Sequence, residues 1–380
     1  MKSRNTSQLW EAGLPTWESD KDNVLVCCQI RQETHDVKSF FFRPLKASVF
    51  HFLPGQFITL ELPIGGEIIN RSYTISSSPT RPHVISITVK RQPGGMVSNW
   101  LHDYMQVGEQ ISVLGPTGQF SCVLHPASKY LFLSAGSGIT PLMSMARSFH
   151  ELAEDANIAF VHSARTPSDI IFRHELDLMV FNQPRFRSAY ICERIESEPN
   201  WTMPTGFLTL NALKHTVPDF LEREIFTCGP APYMAAVRSL LTAVVGFDMR
   251  HYHEESFTFD ELPTDIKHEV IAEEASAAIA AAKSYAADTD KAAATFSIEL
   301  TKSGTTIQCA PDQFVLDAAR AAGLRLPSSC SKGLCGTCKS KLVSGKVEMK
   351  HGGGIRQREI DQGMILPCCS KPLENLVLER

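Results

Sequence analysis

Cys330-Ser331-Lys332-Gly333-Leu334-Cys335-Gly336-Thr337-Cys338 is a dense run of thiols, and 29 residues separate its last cysteine from the pair Cys368-Cys369. Gaps of four, two and about thirty residues are the spacing with which four thiolates hold a 2Fe-2S cluster. Three ligands come from one tight loop, and the fourth comes from a distant segment that closes over it. Gly333 and Gly336 allow the loop to turn sharply and aim backbone N–H groups at the sulfur atoms, which helps to set the reduction potential. A structural zinc or a set of buried thiols is the competing reading, but zinc sites use two short cysteine pairs rather than a triplet and a distant singleton. Five of the 11 cysteines fall in this C-terminal part of the chain, which points to a metal rather than a disulfide framework.

The segments around the loop divide the chain. Phe296–Leu300 and Thr305–Cys309 read as a hairpin and Val315 to Ala322 as a helix, so residues 295–380 form a small domain around the cluster. Residues 258–294 are first acidic and then alanine-rich, and read as a linker, with a packed helix as the alternative. In residues 126–257 buried-type strands such as Leu131-Phe132-Leu133-Ser134-Ala135 and Ile158-Ala159-Phe160-Val161-His162 alternate with helical stretches, predicting a parallel α/β sheet. Residues 23–125 run in short alternating strands, among them Gln56–Leu62 and Val84–Lys90, punctuated by Pro and Gly; they predict an antiparallel barrel. Residues 1–22 are left as an N-terminal tail. The fold class is therefore multidomain, β and α/β.

A formal charge of -4 provides no strongly basic surface, which excludes nucleic acid as a partner. No apolar run approaches a membrane span, so the reading is a soluble, cytoplasmic protein. The 13 histidines are scattered and read mostly as surface or capping residues.

Three further motifs carry chemistry. Arg71-Ser72-Tyr73-Thr74 leaves an apolar strand: a guanidinium for a pyrophosphate, a phenol for a ring system and a hydroxyl for a polar edge. After the strand residues Val89 and Lys90 comes Gly94-Gly95-Met96-Val97-Ser98, small residues opening a helix, where anions are favoured. Gly136-Ser137-Gly138-Ile139-Thr140-Pro141 follows a buried strand and permits close backbone approach, yet it is not the Gly-x-Gly-x-x-Gly fingerprint of ordinary dehydrogenases. Taken singly, each has a plain structural explanation.

In this order the motifs resemble the ferredoxin-NADP reductase superfamily, and the whole chain looks like its phthalate dioxygenase reductase type, with a C-terminal β-grasp ferredoxin domain. The resemblance covers about residues 24 to 257 and 295 to 380. It implies that Arg71, Ser72, Tyr73, Thr74, Val89, Lys90, Gly95, Met96, Val97 and Ser98 bind FAD. Gly136, Gly138, Thr140, Pro141, Arg165, Gly229 and Pro230 would bind the nicotinamide nucleotide, and Cys228, Glu255 and Phe257 would line the hydride-transfer site. The cluster ligands are then Cys330, Cys335, Cys338 and Cys368, because the cysteine two residues after Leu366 matches the last ligand of such ferredoxins; Cys369 is left as a bystander. Phe172 stands where many NADPH enzymes have an adenine-stacking tyrosine, which favours NADH, with NADPH kept open because of Arg165.

Within that group the chain is similar to the reductase component of glycine betaine monooxygenase and related Rieske systems, and to the NADH oxidoreductase of the hybrid-cluster protein. The implied function is transfer of electrons from NADH through FAD and a 2Fe-2S cluster to a partner protein, a Rieske-type oxygenase acting on a quaternary amine or, alternatively, a hybrid-cluster protein. A self-contained small-molecule flavin reductase and a redox sensor are the rivals. Residues 295–380 carry 12 Lys and Arg against 8 Asp and Glu, which suggests docking of an acidic partner through the Lys339, Lys341, Lys346 and Lys350 region.

Overall fold

The computed structural model describes residues 13–19, 21–195, 198, 200–256, 295–324, 326, 328, 331–333 and 335–379. Alternation of buried and outward residues in β1 (Val24–Thr34), β2 (Val37–Pro44), β3 (Phe57–Ile64), β4 (Glu67–Thr74), β5 (Ile85–Lys90) and β6 (Gln110–Thr117) builds one six-stranded antiparallel sheet in the order β4-β3-β6-β1-β2-β5. An antiparallel bridge from Ile75, just past β4, to Ile87 of β5 brings the two edges together. Phe40, Phe42, Ile58, Leu60 and Ile85 fill the interior, and α1 (Met96–Tyr104) packs Val97 and Leu101 onto the same core. Trp17 belongs to that core as well, its ring 5.1 Å from that of Phe50, and its backbone N–H donates to Val49 O. The segment read as a tail therefore contributes an indole to the barrel interior, since so large an apolar surface gains by leaving water.

β7 (Lys129–Ala135), β8 (Asn157–Ala164), β9 (Phe186–Cys192), β10 (Glu224–Gly229) and β11 (Tyr252–Ser256) form a parallel sheet in the order β11-β10-β7-β8-β9. Both faces are buried, as near-continuous apolar strands require. Phe132, Phe160 and Phe226 face one core with α2 (Ile139–Glu151) and α3 (Arg173–Asn182). Leu131, Leu133 and Ile225 face the other, with α4 (Leu210–Thr216) and α5 (Ala231–Thr242). Pro141 sits in the first turn of α2, where its missing N–H costs nothing.

A separate unit holds the C-terminal sheet: β12 (Phe296–Leu300), β13 (Thr305–Cys309), β14 (Ser340–Ser344), β16 (Met364–Ile365) and β18 (Leu376–Glu379), in the order β13-β12-β18-β14-β16, with β15 (Val347–Met349) pairing β17 (Ser370–Pro372). α6 (Val315–Ala321) buries Val315, Leu316, Ala318 and Ala319 in a core that also contains Cys338, Cys368 and Cys369. A short helix, α7 (Gln357–Asp361), precedes β16. The residues assigned to a linker, 258–294, lie outside the described residues.

Arg223 is the largest fully buried side chain. It donates to both carboxylate oxygens of Asp219 at 3.0 and 2.8 Å, to Tyr130 O at 2.9 Å, and to Asn157 O and Oδ1 at 3.0 and 2.9 Å. The guanidinium thus ties β10, β7 and β8 together at their N-terminal ends. Replacing it by Met strands those acceptors, so Arg223→Met is expected to cost about 3 kcal/mol or more, read as a lower chemical-denaturation midpoint of the nucleotide-binding region.

Candidate functional site

The parallel sheet presents its C-terminal strand ends to the barrel. After β7 the chain turns through Gly136 (φ +51°) and Gly138, and a Cβ on Gly138 would lie 2.3 Å from Cys228 O and 2.5 Å from Gly229 N. Only glycine lets the two loops meet backbone to backbone. Gly229 is similarly confined, by Tyr233 Cδ1 at 2.8 Å. Thr140 closes the turn by donating to Ser137 O at 3.1 Å, and α2 begins without a side-chain cap or an acidic residue in its first turn, so its N–H groups face an anion-favouring end. Pro230 is exposed at the start of α5, and Arg165 is an exposed side chain beyond β8.

Cys228 and Glu255 are register partners on adjacent parallel strands and occupy the same face. Burial, reinforced by the Glu255 charge, raises the Cys228 thiol well above its usual range, so it stays protonated. Burial also raises Glu255 to about 8, and its Oε2 is enclosed with no hydrogen-bond partner among the described residues. Phe257 lies outside the described residues.

His162, also fully buried, was not singled out from sequence. Its Nδ1 is 2.7 Å from Ser134 Oγ, Nε2 has no partner among the described residues, and burial followed by the Lys90 charge lowers it to about 3. A polar residue inside the apolar strand Phe160-Val161-His162 was the available signal. Arg147 was missed too. This buried arginine donates to Ser76 O at 2.5 Å and to both oxygens of Glu175 at 2.7 and 2.6 Å, and covers the Phe172 ring at 4.5 Å. Phe172 is accordingly a core residue beneath a guanidinium.

On the barrel side, Arg71, Ser72, Tyr73 and Thr74 end β4, and Ser72 Oγ lies 3.0 Å from Thr59 Oγ1. Thr74 Oγ1 is buried without a partner among the described residues. Lys90 Nζ pairs with Asp36 at 3.1 Å, and Val89 O lies 2.9 Å from His102 Nε2, so one of the barrel's histidines is a buried strap. Gly95 caps α1 with no side-chain hydrogen bond, and a Cβ there would meet Ser98 Oγ at 2.6 Å. Ser98 Oγ accepts from Gln92 N and donates to Gly95 O, closing the turn. Val97 is buried and Met96 exposed, so the segment offers backbone N–H groups to an anion.

These features fit a flavin dinucleotide: an orphaned buried hydroxyl at Thr74 and an uncapped helix start at Gly95. In the C-terminal unit Cys338 Sγ and Cys368 Sγ are 3.2 Å apart, and hydrogen bonds from Cys338 and then Cys369 lower the Cys368 thiol below its usual range, favouring its thiolate. Cys335 is buried, with Sγ 3.2 Å from Thr337 Oγ1; Cys330 lies outside the described residues. Gly333 (φ +69°) would drive a Cβ to 2.7 Å from Cys369 Sγ, so Cys369 packs under the loop. Paired buried thiols beside a glycine turn fit a thiolate-held cluster. When bound, FAD accepts a hydride as an electron pair and the cluster carries electrons singly.

Family models match the same three regions: an oxidoreductase FAD-binding domain over residues 26–122, an oxidoreductase NAD-binding domain over 132–239 and a 2Fe-2S iron-sulfur cluster binding domain over 298–373. The chain is 47% identical to the glycine betaine monooxygenase reductase subunit of Chromohalobacter salexigens, covering 96% of each chain. It is 40% identical to the stachydrine N-demethylase reductase subunit of Rhizobium meliloti, over 93% of this chain and 96% of that one. Its fold is similar to that of phthalate dioxygenase reductase, with a TM-score of 0.53 at 22% identity, covering 96% of this chain and 100% of that one. No helix among the described residues is long and apolar enough to cross a membrane.

Two substitutions probe the cleft. Gly138→Ala should push Cys228-Gly229 aside and lower kcat/KM for the reduced nucleotide by about tenfold or more, with the cluster spectrum unchanged. Glu255 binds its proton more tightly folded than unfolded. The stability this gives is full below about pH 4.5 and is lost as pH rises through about 8, so Glu255→Gln should flatten the decline of Tm across that window.

Its likeness over nearly the whole length of these relatives, with all three domain models in the same order, places the chain in the family of FAD- and 2Fe-2S-containing, nicotinamide-dependent reductase subunits of monooxygenases.

Proposed function

We propose that this oxidoreductase supplies electrons from NADH to a Rieske-type oxygenase that acts on a quaternary amine such as glycine betaine. The observation that carries the reading is 45–47% identity to glycine betaine monooxygenase reductase subunits over 96% of the chain. In this scheme Arg71, Tyr73, Thr74 and the Gly95–Ser98 turn hold FAD, and Gly136–Pro141 with Gly229-Pro230 hold the nucleotide. Cys228 and Glu255, both kept neutral by burial, pack against the reacting rings without placing a charge beside them. Cys330, Cys335, Cys338 and Cys368 hold the cluster. Cys27, Cys28, Cys122, Cys192, Cys228 and Cys309 stay as thiols outside any disulfide, which suits a reducing cytoplasm.

Docking falls to fewer lysines than the sequence suggested. Lys339 is buried and paired with Glu359 at 2.6 Å. A lysine so enclosed has no face for a partner. Lys341, Lys346 and Lys350 remain exposed and are the residues we assign to an acidic partner surface.

Truncation before Thr295 should spare ferricyanide reduction by NADH and abolish reduction of the oxygenase. A truncated enzyme that still reduces the oxygenase would make the C-terminal domain dispensable and favour the small-molecule flavin reductase. Neutralising Lys341, Lys346 and Lys350 together should slow reduction of the partner several-fold at low salt and remove most of its salt dependence, measured by stopped flow.

A further inference from the structure

The sheet end opposite Cys228 carries a cluster that electron transfer does not use. Glu224 opens β10, roughly 13 Å of strand away from Cys228. His253 is the second residue of neighbouring β11, and His125 follows the short turn Cys122–Leu124 where the barrel ends. The His125 and His253 rings stack with centroids 3.7 Å apart and planes 27° apart. His253 Nε2 lies 2.5 Å from Glu224 Oε1, and His251 Nδ1 lies 2.7 Å from Oε2. One donor atom each from His125, Glu224 and His253 falls within 4.8 Å of the others. Phe226 walls the group at 4.8 Å from His253 and 6.0 Å from His125.

Stacked imidazoles repel when both are charged. His125 stacks on His253 and brings a ring nitrogen within 4.8 Å of the donor atoms of Glu224 and His253. Glu224 faces a histidine with each of its carboxylate oxygens, Oε1 toward His253 and Oε2 toward His251. The result is two imidazole nitrogens and a carboxylate converging from three separate segments. A hydrogen-bonded network accounts for the Glu224–His253 contact, whereas it gives His125 no polar reason to converge on the same carboxylate. A dication gives one, because it displaces the proton shared by His253 and Glu224 and takes two ring lone pairs and the negative charge at once. Two nitrogens and one oxygen form a ligand set suited to zinc-class ions, with room for water in a fourth position.

We propose that His125, Glu224 and His253 form a binding site for a zinc-class divalent cation that pins the edge strand β11 and the barrel exit to β10. The ion would act as a structural tie, since the cluster lies at the far end of the strands from Cys228 and Glu255.

The test uses the full chain loaded with FAD and cluster, so that the cluster cysteines are occupied. Zinc is titrated, free metal removed by gel filtration, and retained zinc counted against iron. Wild type should retain one zinc per chain. His125→Gln and His253→Gln should each weaken zinc affinity by about tenfold or more, and the zinc-induced rise in melting temperature should vanish in both. Flavin and cluster absorbance confirm that the variants fold; His125 sits in a loop, so at least that variant is expected to. Failure of the wild type to retain zinc, or undiminished retention by either variant, overturns the proposal.

Discussion

The contact between two backbones, Gly138 against Cys228-Gly229, governs the chemistry of the cleft. A side chain at residue 138 would overlap Cys228 O, so the loop after β7 and the loop after β10 can meet only where neither carries a Cβ in the way. Their approach brings the uncapped start of α2 beside the strand ends that hold Cys228 and Glu255. Anion-favouring N–H groups and neutral side chains thus occupy one end of one sheet. A division follows from that geometry: backbone dipoles favour an anion at the helix start, and desolvated, uncharged side chains lie beside it.

A cleft between a barrel and a sheet is useful only if both hold their relative position, and a buried arginine supplies the constraint. Arg147 on α2 reaches the carbonyl of Ser76 in the barrel while its other nitrogens grip Glu175 on α3. Ser144 adds a bond to Ser77 O at 2.7 Å. A guanidinium suits this role because its planar fork satisfies several acceptors at once and cannot lose its proton. The low exposure of Arg147 makes each bond count for more than a surface ion pair would.

Much of this was legible in residue order, for reasons that differ by element. The strand Leu131–Ala135 was readable because a doubly covered parallel strand is apolar on both faces. Gly138 was readable because glycine between a buried strand and a helix has few other uses. His162 and Arg147 were not, since their roles depend on partners 28 residues away in each case: Ser134 for the histidine, Glu175 for the arginine. Trp17 was placed outside the barrel because a single aromatic among polar residues has no period to reveal what it packs against.

Lys339 shows the same limit in charge rather than shape. By composition it is one of several lysines that follow the cysteine loop, and a net excess of basic residues suggests an outward-facing patch. In the fold it turns inward from the residue after Cys338 and is neutralised by Glu359, which also accepts from Arg356 N at 2.8 Å and so caps α7. A buried pair of this kind is weak evidence for stability, because desolvation offsets most of the attraction. Its effect is instead to leave a compensated pair beside the cysteine loop, so that Lys339 adds no charge to the exposed surface that carries Lys341, Lys346 and Lys350. Counting charges along a chain overstates a surface wherever folding has already matched one of them.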